Sequence, residues 1–333
     1  MKQNILTGIK CTGTPHIGNY LGMFRPAIDR ANSTDVPSFF FIANYHALNQ
    51  VKCVKELRQS IKEVACTWLA CGLDPKKSAF YMQSDVPEVF ELATIFTNVT
   101  AKGLMNRAHA YKAAVQSNTE AGRDADEDVN MGLYNYPILM AADIILFDTE
   151  FVPVGQDQKQ HVEIAADIAK SFNAVFGQTL VVPKELIRKE VAIIPGLDGR
   201  KMSKSYNNTI PLFCDEAELL KCIKRITTDS SAPDAPKDPN HLIFQLFKHF
   251  SSPSLEEVAS RSGDGVLDTR IGWGEAKQKL FEAINTAIKP MRERYNYLMA
   301  NYSEVEKILT DGAVRARKVA QETLVRVRKA IGV

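Results

Sequence analysis

Ser38 to Tyr45 reads SFFFIANY, a nearly unbroken apolar run. A strand with one wet face alternates apolar and polar residues, so this run predicts a strand covered on both faces. NILTGI (Asn4 to Ile9) before it and AFYMQS (Ala79 to Ser84) after it read as the first and third strands. Helical patterns fill the gaps, from about Ile17 to Ala31 and from about Val54 to Cys71, where Gly72 and Pro75 end the second. Strand and helix alternating through short links means parallel βαβ units and an open twisted sheet.

The rhythm breaks between about Pro87 and Asn130, which reads as a helical insertion. Within it NTEAGRDADEDVN carries five acids and one arginine, the composition of a solvated loop. The α/β pattern resumes with an apolar helix near Gly132 to Ile145, a strand at Phe151 to Val154 and a helix from Gln156 to Phe176. Beyond TTDSSAPDAPKDPN, a Pro- and Ser-rich linker, nearly everything reads as helix. The last helix, about Ala313 to Ile331, turns Ala316, Val319, Ala320, Leu324, Val327 and Ile331 toward a core. Its other positions carry Arg315, Arg317, Lys318, Arg326, Arg328 and Lys329, which fit either a solvated face or contacts to an RNA backbone.

Composition excludes several classes. The chain has 333 residues, 45% hydrophobic and 24% charged, with net charge +2, so any basic surface is local. No apolar run is long enough to span a bilayer and no leader pattern opens the chain, so the expectation is a cytoplasmic protein with no membrane partner. None of the six cysteines forms a C-x-x-C pair, and the six histidines lack metal-ligand spacing, so no metal site is expected from the protein.

Three polar segments fall at the carboxyl edge of the strands, where open α/β sheets bind ligands. KCTGTPHIGN (Lys10 to Asn19) joins the first strand to a helix. There Gly13 allows a sharp turn, Gly18 lets a ligand approach, and His16 and Asn19 offer hydrogen bonds beside a helix N-terminus suited to phosphate. VPVGQDQKQH (Val152 to His161) sets the Gly155 backbone and Asp157 where a ribose could sit, although Asp157 fits an N-cap carboxylate equally. GRKMSKSYNN (Gly199 to Asn208) packs three cations and two serines into the six residues from Arg200 to Ser205. Lysines on a loop follow negative charge as it moves, and phosphoryl chemistry depends on such charges more than on a base.

PHIGN followed much later by KMSKS resembles the paired signatures of class I aminoacyl-tRNA synthetases, with Asn19 where the prototype has histidine. YPILMAADIILF, VPVGQDQKQHVE, NYHAL and TDS are similar to segments of the bacterial tryptophan-specific members. The resemblance implies a fold of class α/β, a Rossmann-like parallel sheet with a helical insertion plus an all-helical C-terminal domain. It implies a catalytic domain over 1–192, with the insertion at about 87–130, and a mobile loop and junction over 193–212. A helical, anticodon-binding region over 213–333 follows, whose last helix has the option of packing back on the catalytic domain.

For the site, the resemblance implies that Asp143 accepts the indole N–H of L-tryptophan, with Tyr136, Met140, Val152, Val154, Leu6, Gly8 and His46 around the ring. It places Lys10, Cys11, Thr12, His16, Gly18, Asn19, Gly155, Gln156, Asp157, Gln158, Ile193, Lys201, Met202, Ser203, Lys204 and Ser205 along ATP. It gives catalytic roles to Lys201, Lys204, Lys112 and Ser203. Lys10, Cys11 and Gln156 depart from the commoner residues of the family. ATP with its Mg2+, tRNA as partner and a homodimer follow from the same resemblance, with Arg225, Arg315 and Lys318 as candidate tRNA contacts. The rival readings are a tyrosine-specific synthetase or small-molecule adenylyltransferase, and an RNA-binding module without catalysis.

Overall fold

The structure is a computed structural model that describes residues 4–187, 194–251 and 267–333. Strands β1 (Ile5–Ile9), β2 (Ser38–Ile42) and β3 (Ser78–Met82) form a parallel ladder in that order, with Leu6 opposite Phe39 and Phe39 opposite Ala79. All five residues of β2 are buried, as its apolar run requires. On one face Phe40 and Phe80 meet Trp68 of helix α4 (Val54–Ala70) and Phe24; on the other Phe39, Phe41 and Tyr81 meet Phe147. Gly8 stands opposite Phe41, and a Cβ there would overlap the phenyl ring.

The helix expected at Ile17 to Ala31 exists in three pieces. A short α1 (Ile17–Asn19) leads into a wide π turn at Tyr20–Phe24 and then α2 (Arg25–Asn32). Pro26 has no N–H to return to the carbonyl four residues earlier, which favours the wider turn before it. Short α3 (Asn44–Ala47) follows β2. The insertion holds α5 (Glu88–Thr97), α6 (Lys102–Met105) and α7 (His109–Glu120), and then comes α8 (Met131–Ile145).

Strand β4 (Phe151–Val154) lies where the sequence puts it. Its ladder partner is β5 (Lys184–Ile187), a strand the sequence reading did not anticipate, reached through α9 (Lys159–Phe176). KELI sets two charged residues before two apolar ones over only four positions, with no alternation to mark a strand. β4 also lies against β1. The chain therefore runs away from β1 in two directions, toward β2 and toward β4. That is a topological switch point, and its crevice opens at the carboxyl ends of β1 and β4.

The C-terminal half is helical: α10 (Glu216–Lys224), α11 (Leu242–Phe250), α12 (Trp273–Ala300) and α13 (Tyr302–Ile331). Helices α10 to α12 share one apolar cluster with Ile17, Leu21, Ile194 and Met202. The Pro- and Ser-rich linker is tied down by buried Lys237, whose Nζ donates to the carbonyls of Ala232, Pro233 and Ala235.

Helix α13 lies back across β3, and Ala313, Ala316, Ala320, Leu324 and Val327 join the sheet's core. This use of its apolar stripe consumes most of the basic face. Arg315 donates to the carbonyls of Pro75, Lys76 and Ser78 at 2.6, 3.3 and 2.9 Å. Arg317 pairs with Glu88, Arg326 with Asp148 and Arg328 with Glu91. The expectation of an RNA-facing Arg315 is corrected accordingly, because its guanidinium is already engaged in holding α13 to the sheet. Lys318 and Arg225 remain exposed.

Gly312 is where α13 touches β3 most closely, and a Cβ at that position would run into the backbone of Phe80. Alanine gains about 1 kcal/mol over glycine in a helix interior. Overpacking against an unyielding backbone costs about 1–3 kcal/mol, and more where nothing can shift. Gly312→Ala is therefore expected to lower stability on balance, read as a lower urea midpoint; an unchanged or higher midpoint contradicts the close contact.

Candidate active site

The crevice contains a cavity of about 520 Å³. Leu6 to Lys10 of β1 and its exit, Phe41, His46, the α8 face and Val152 to Gly155 of β4 line it. Tyr136, Met140 and Asp143 reach it together because positions four and three apart share one side of a helix. The expected apolar group of Leu6, Gly8, Val152 and Val154 is here, joined by Met23, Ile144 and Pro153.

Asp143 is 3% exposed. Its Oδ2 receives hydrogen bonds from Nε2 of His46 at 2.8 Å and Nε2 of Gln83 at 2.9 Å, while among the described residues Oδ1 receives Gln83 alone, at 3.0 Å. Burial pushes this carboxyl above the usual carboxylate range, and the bonds from His46 and Gln83 pull it back. A carboxylate offers about four acceptor positions, so Oδ1 keeps the larger share for a donor entering from the cavity.

Gln83 escaped the sequence reading. It is fully buried, and its Oε1 accepts the Tyr45 N–H at 3.2 Å, which fixes the amide so that its NH₂ faces Asp143. The available signal was a lone glutamine ending a buried strand, which is rarely buried without a partner.

Tyr136 Oη lies 3.1 Å from Nε2 of His161, and Nζ of Lys10 sits 5.6 Å from the centre of the Tyr136 ring. Lys10 thus belongs to the cavity's lining, and burial lowers its pKa. Its neighbour Cys11 points the other way. The thiol is wholly buried with Phe24, Phe40 and Trp68 and is pushed up to about 11, so the expected ligand role is corrected to the backbone alone.

The turn after β1 is held by its own side chains. Gly13 has φ +68 and gives its N–H to Ser60 Oγ at 3.3 Å, and Thr14 bonds Glu63 at 2.9 Å. His16 and Asn19 cap each other reciprocally: the Asn19 N–H reaches Nδ1 of His16 at 3.3 Å and the His16 N–H reaches Oδ1 of Asn19 at 3.1 Å. Both side chains, expected to face a ligand, serve first as the helix cap.

The lysine-rich loop lies directly over this turn. Met202 is buried and its Sδ accepts the Gly18 N–H at 3.3 Å, while Nζ of Lys204 donates to the carbonyl of Thr12 at 2.6 Å. A Cβ on Gly18 would crowd both His16 and Met202, so glycine is what lets the loop settle. The backbone completes the seam, with Ile17 N–H to Ile210 O at 2.9 Å and Leu212 N–H to Pro15 O at 3.0 Å.

Gly155 and Gln158 line the cavity, and the Gln156 side chain is exposed. Lys201, Ser205 and Lys112 are exposed and Ser203 is half-buried. Ile193 and the side chain of Asp157 lie outside the described residues.

His16 supplies a pH prediction. Burial, helped by the nearby Lys204 charge, lowers its pKa from 6.5 to about 4. The folded chain then holds this proton less tightly than the unfolded one. The contribution to stability is complete above 6.5 and is lost as pH falls toward about 4. The His16 imidazole is expected to titrate near 4 by NMR and to move upward in Lys204→Ala. A midpoint near 6.5 in the wild-type chain contradicts the buried cap.

The comparisons with known proteins agree with one another. The family model for class I tRNA synthetases (W and Y) matches residues 2–289. The tryptophan–tRNA ligase of Pseudomonas aeruginosa is 51% identical, over 100% of this chain and 74% of its own. That of Neisseria meningitidis is 50% identical over 100% and 98%. The Campylobacter jejuni tryptophanyl-tRNA synthetase, complexed with ADP and tryptophan, is 42% identical and superposes with a TM-score of 0.86, covering 99% of this chain and 100% of that one. A tyrosyl-tRNA synthetase from Aeropyrum pernix, 17% identical with a TM-score of 0.62, shares the fold over 93% of this chain and 89% of its own. The chain belongs to the class I tRNA synthetases of the tryptophan and tyrosine group.

Proposed function

We propose that this chain is an ATP-dependent tryptophan–tRNA ligase. It joins L-tryptophan to AMP with release of pyrophosphate, then passes the tryptophanyl group to the terminal adenosine of tRNA(Trp). The observation that carries the reading is Asp143, a buried carboxylate at an apolar cavity with one oxygen under-engaged. The indole ring carries a single N–H donor and no acceptor, which is the complement of that oxygen. A ring without the donor would leave Oδ1 of the buried acid short of a hydrogen bond that water can no longer supply, a penalty that disfavours it. The ligase relatives at about half identity along the full chain support the same choice over tyrosine.

Activation needs no side-chain nucleophile. The tryptophan carboxylate attacks the α-phosphorus of ATP, the bond to the bridging oxygen breaks, and pyrophosphate leaves. Mg2+ carried by the phosphates would supply further neutralisation of their charge, with no protein ligand to it among the described residues. The Lys10–Asn19 turn receives the nucleotide, Gly155 to Gln158 lie along its nucleoside, and Lys201, Lys204 and Lys112 stabilise the departing pyrophosphate with Ser203 beside them. In the second step a ribose hydroxyl of the tRNA attacks the adenylate carbonyl and AMP leaves.

The residues up to 192 form the catalytic unit, 193–212 the mobile strap, and the helices from 213 the region that meets the anticodon, except that α13 packs back on the sheet; Arg225 after α10 and Lys318 on α13 are exposed cations offered to the tRNA. Two copies of the chain associate as a homodimer working in the cytoplasm. Among the described residues no helix is long and apolar enough to cross a membrane.

Amino-acid-dependent ATP–pyrophosphate exchange tests the reading: exchange with tryptophan and none with tyrosine is expected, and the reverse overturns it. Asp143→Ala is expected to erase most of the preference for tryptophan over its benzothiophene analogue, which lacks the ring N–H, a preference of at least about a hundredfold in the wild type. An unchanged ratio removes Asp143 from recognition. Lys204→Ala is expected to lower kcat for exchange about a hundredfold while changing tryptophan affinity less than about threefold. Equal losses in both would count against a transition-state role.

A further inference from the structure

The lysine-rich segment folds as a hairpin around one side chain. Met202 N–H donates to Ile194 O at 3.0 Å, Pro195 bridges Lys201, and Gly199 turns the chain at φ +81. Inside the hairpin, at 3% exposure, sits Asn208. Its Oδ1 accepts the Ser203 N–H at 2.8 Å, and its Nδ2 donates to Asp198 Oδ1 at 2.7 Å and to the Lys201 carbonyl at 3.2 Å. Its backbone carbonyl accepts the Leu197 N–H at 2.9 Å. A carboxamide has two donor hydrogens and one acceptor oxygen, and here each is used.

The surroundings are built for this group. Asn207 takes the left-handed conformation, φ +49, which folds the chain back so that the next side chain enters the hairpin. A Cβ on Gly196 would overlap the Asn208 amide. The bond from Asn208, followed by those from Arg200, holds the Asp198 carboxyl down at about 2. The segment's two functional lysines flank the clamped atoms: Lys201 gives its carbonyl to Asn208, and Lys204 follows the clamped Ser203 and reaches Thr12 O.

We propose that Asn208 is the positioning residue of this loop: one fully bonded carboxamide holds the hairpin so that Lys201 and Lys204 stand over the turn that receives the triphosphate. The inference rests on the functional reading above and goes beyond it, because Asn208 touches neither substrate nor the reacting atoms. Asparagine is required by the donor count. Aspartate of the same shape would present only acceptors to the Asp198 carboxylate and the Lys201 carbonyl, and serine is too short to span Asp198, Lys201 and Ser203.

The test compares Asn208→Asp, Asn208→Ser, Lys204→Ala and the double variant Asn208→Asp/Lys204→Ala in tryptophan-dependent pyrophosphate exchange, with folding checked by circular dichroism. Expected is a fall in kcat of about tenfold to a hundredfold in both Asn208 variants, with tryptophan affinity within about threefold of wild type. Adding Asn208→Asp to Lys204→Ala should then cost clearly less than it costs the wild type, because only Lys201 is left to misplace. Full kcat in the Asn208 variants, an equal loss of tryptophan affinity, or full multiplication of the two losses overturns the proposal.

A second readout does not depend on activity. Trypsin cuts after Arg200, Lys201 and Lys204, and cleavage there should quicken in Asn208→Ser and be slowed less by ATP than in wild type. Unchanged cleavage overturns the proposal even where exchange is lost. If the wild-type chain lacks exchange with tryptophan, the functional reading fails on its own, while the cleavage comparison still decides whether Asn208 holds the loop.

Discussion

A charged carboxylate is tolerable in an apolar interior only when other groups replace the water it has lost. Asp143 meets that condition with two residues from two separate parts of the sheet edge, His46 after β2 and Gln83 after β3. Neither could be placed without the parallel ladder that brings the ends of β2 and β3 side by side. The recognition group and the architecture are thus the same constraint. The sheet must end where three polar side chains from distant segments converge, and its faces must be covered so that Asp143 stays buried among them.

Sealing falls to residues that look unrelated to the chemistry. Helix α13 covers β3 through small side chains and clamps itself with arginines to Glu88, Asp148 and Glu91. The Glu88 contact is buried on the acid's side, so it couples the last helix to the segment leaving Gln83 rather than adding a loose surface pair. Cys11 and Gly8 likewise serve the sheet, one filling the Trp68 side and the other making room for Phe41.

The opposite requirement governs the lysine-rich loop, which must be ordered yet able to follow phosphate charge. Its order comes from local devices, namely the Asn208 amide, the Asp198–Arg200 pair and the Met202 plug against Gly18. Its charges stay near the surface, and among the described residues Lys204 rests on a backbone carbonyl and not on a carboxylate. A carbonyl is a weaker hold on an ammonium than a charged acceptor, so an arriving triphosphate can displace it.

Much of this was legible before any coordinates. The nearly unbroken apolar run at Ser38 to Tyr45 dictates a doubly covered strand, and strand and helix alternating through Ala79 to Ser84 dictate parallel pairing, because periodicity reports burial directly. The PHIGN and KMSKS segments point to phosphoryl chemistry, because the residue types themselves carry the required dipoles and charges. The same one-dimensional signal could not show that Cys11 faces away from the ligand, that His16 and Asn19 spend their side chains on each other, or that Arg315 is held by the β3 approach. Nor could it find β5, Gln83 or Asn208. Those facts depend on which distant groups meet, and a side chain with several possible partners is assigned only when the fold brings one of them within hydrogen-bonding reach.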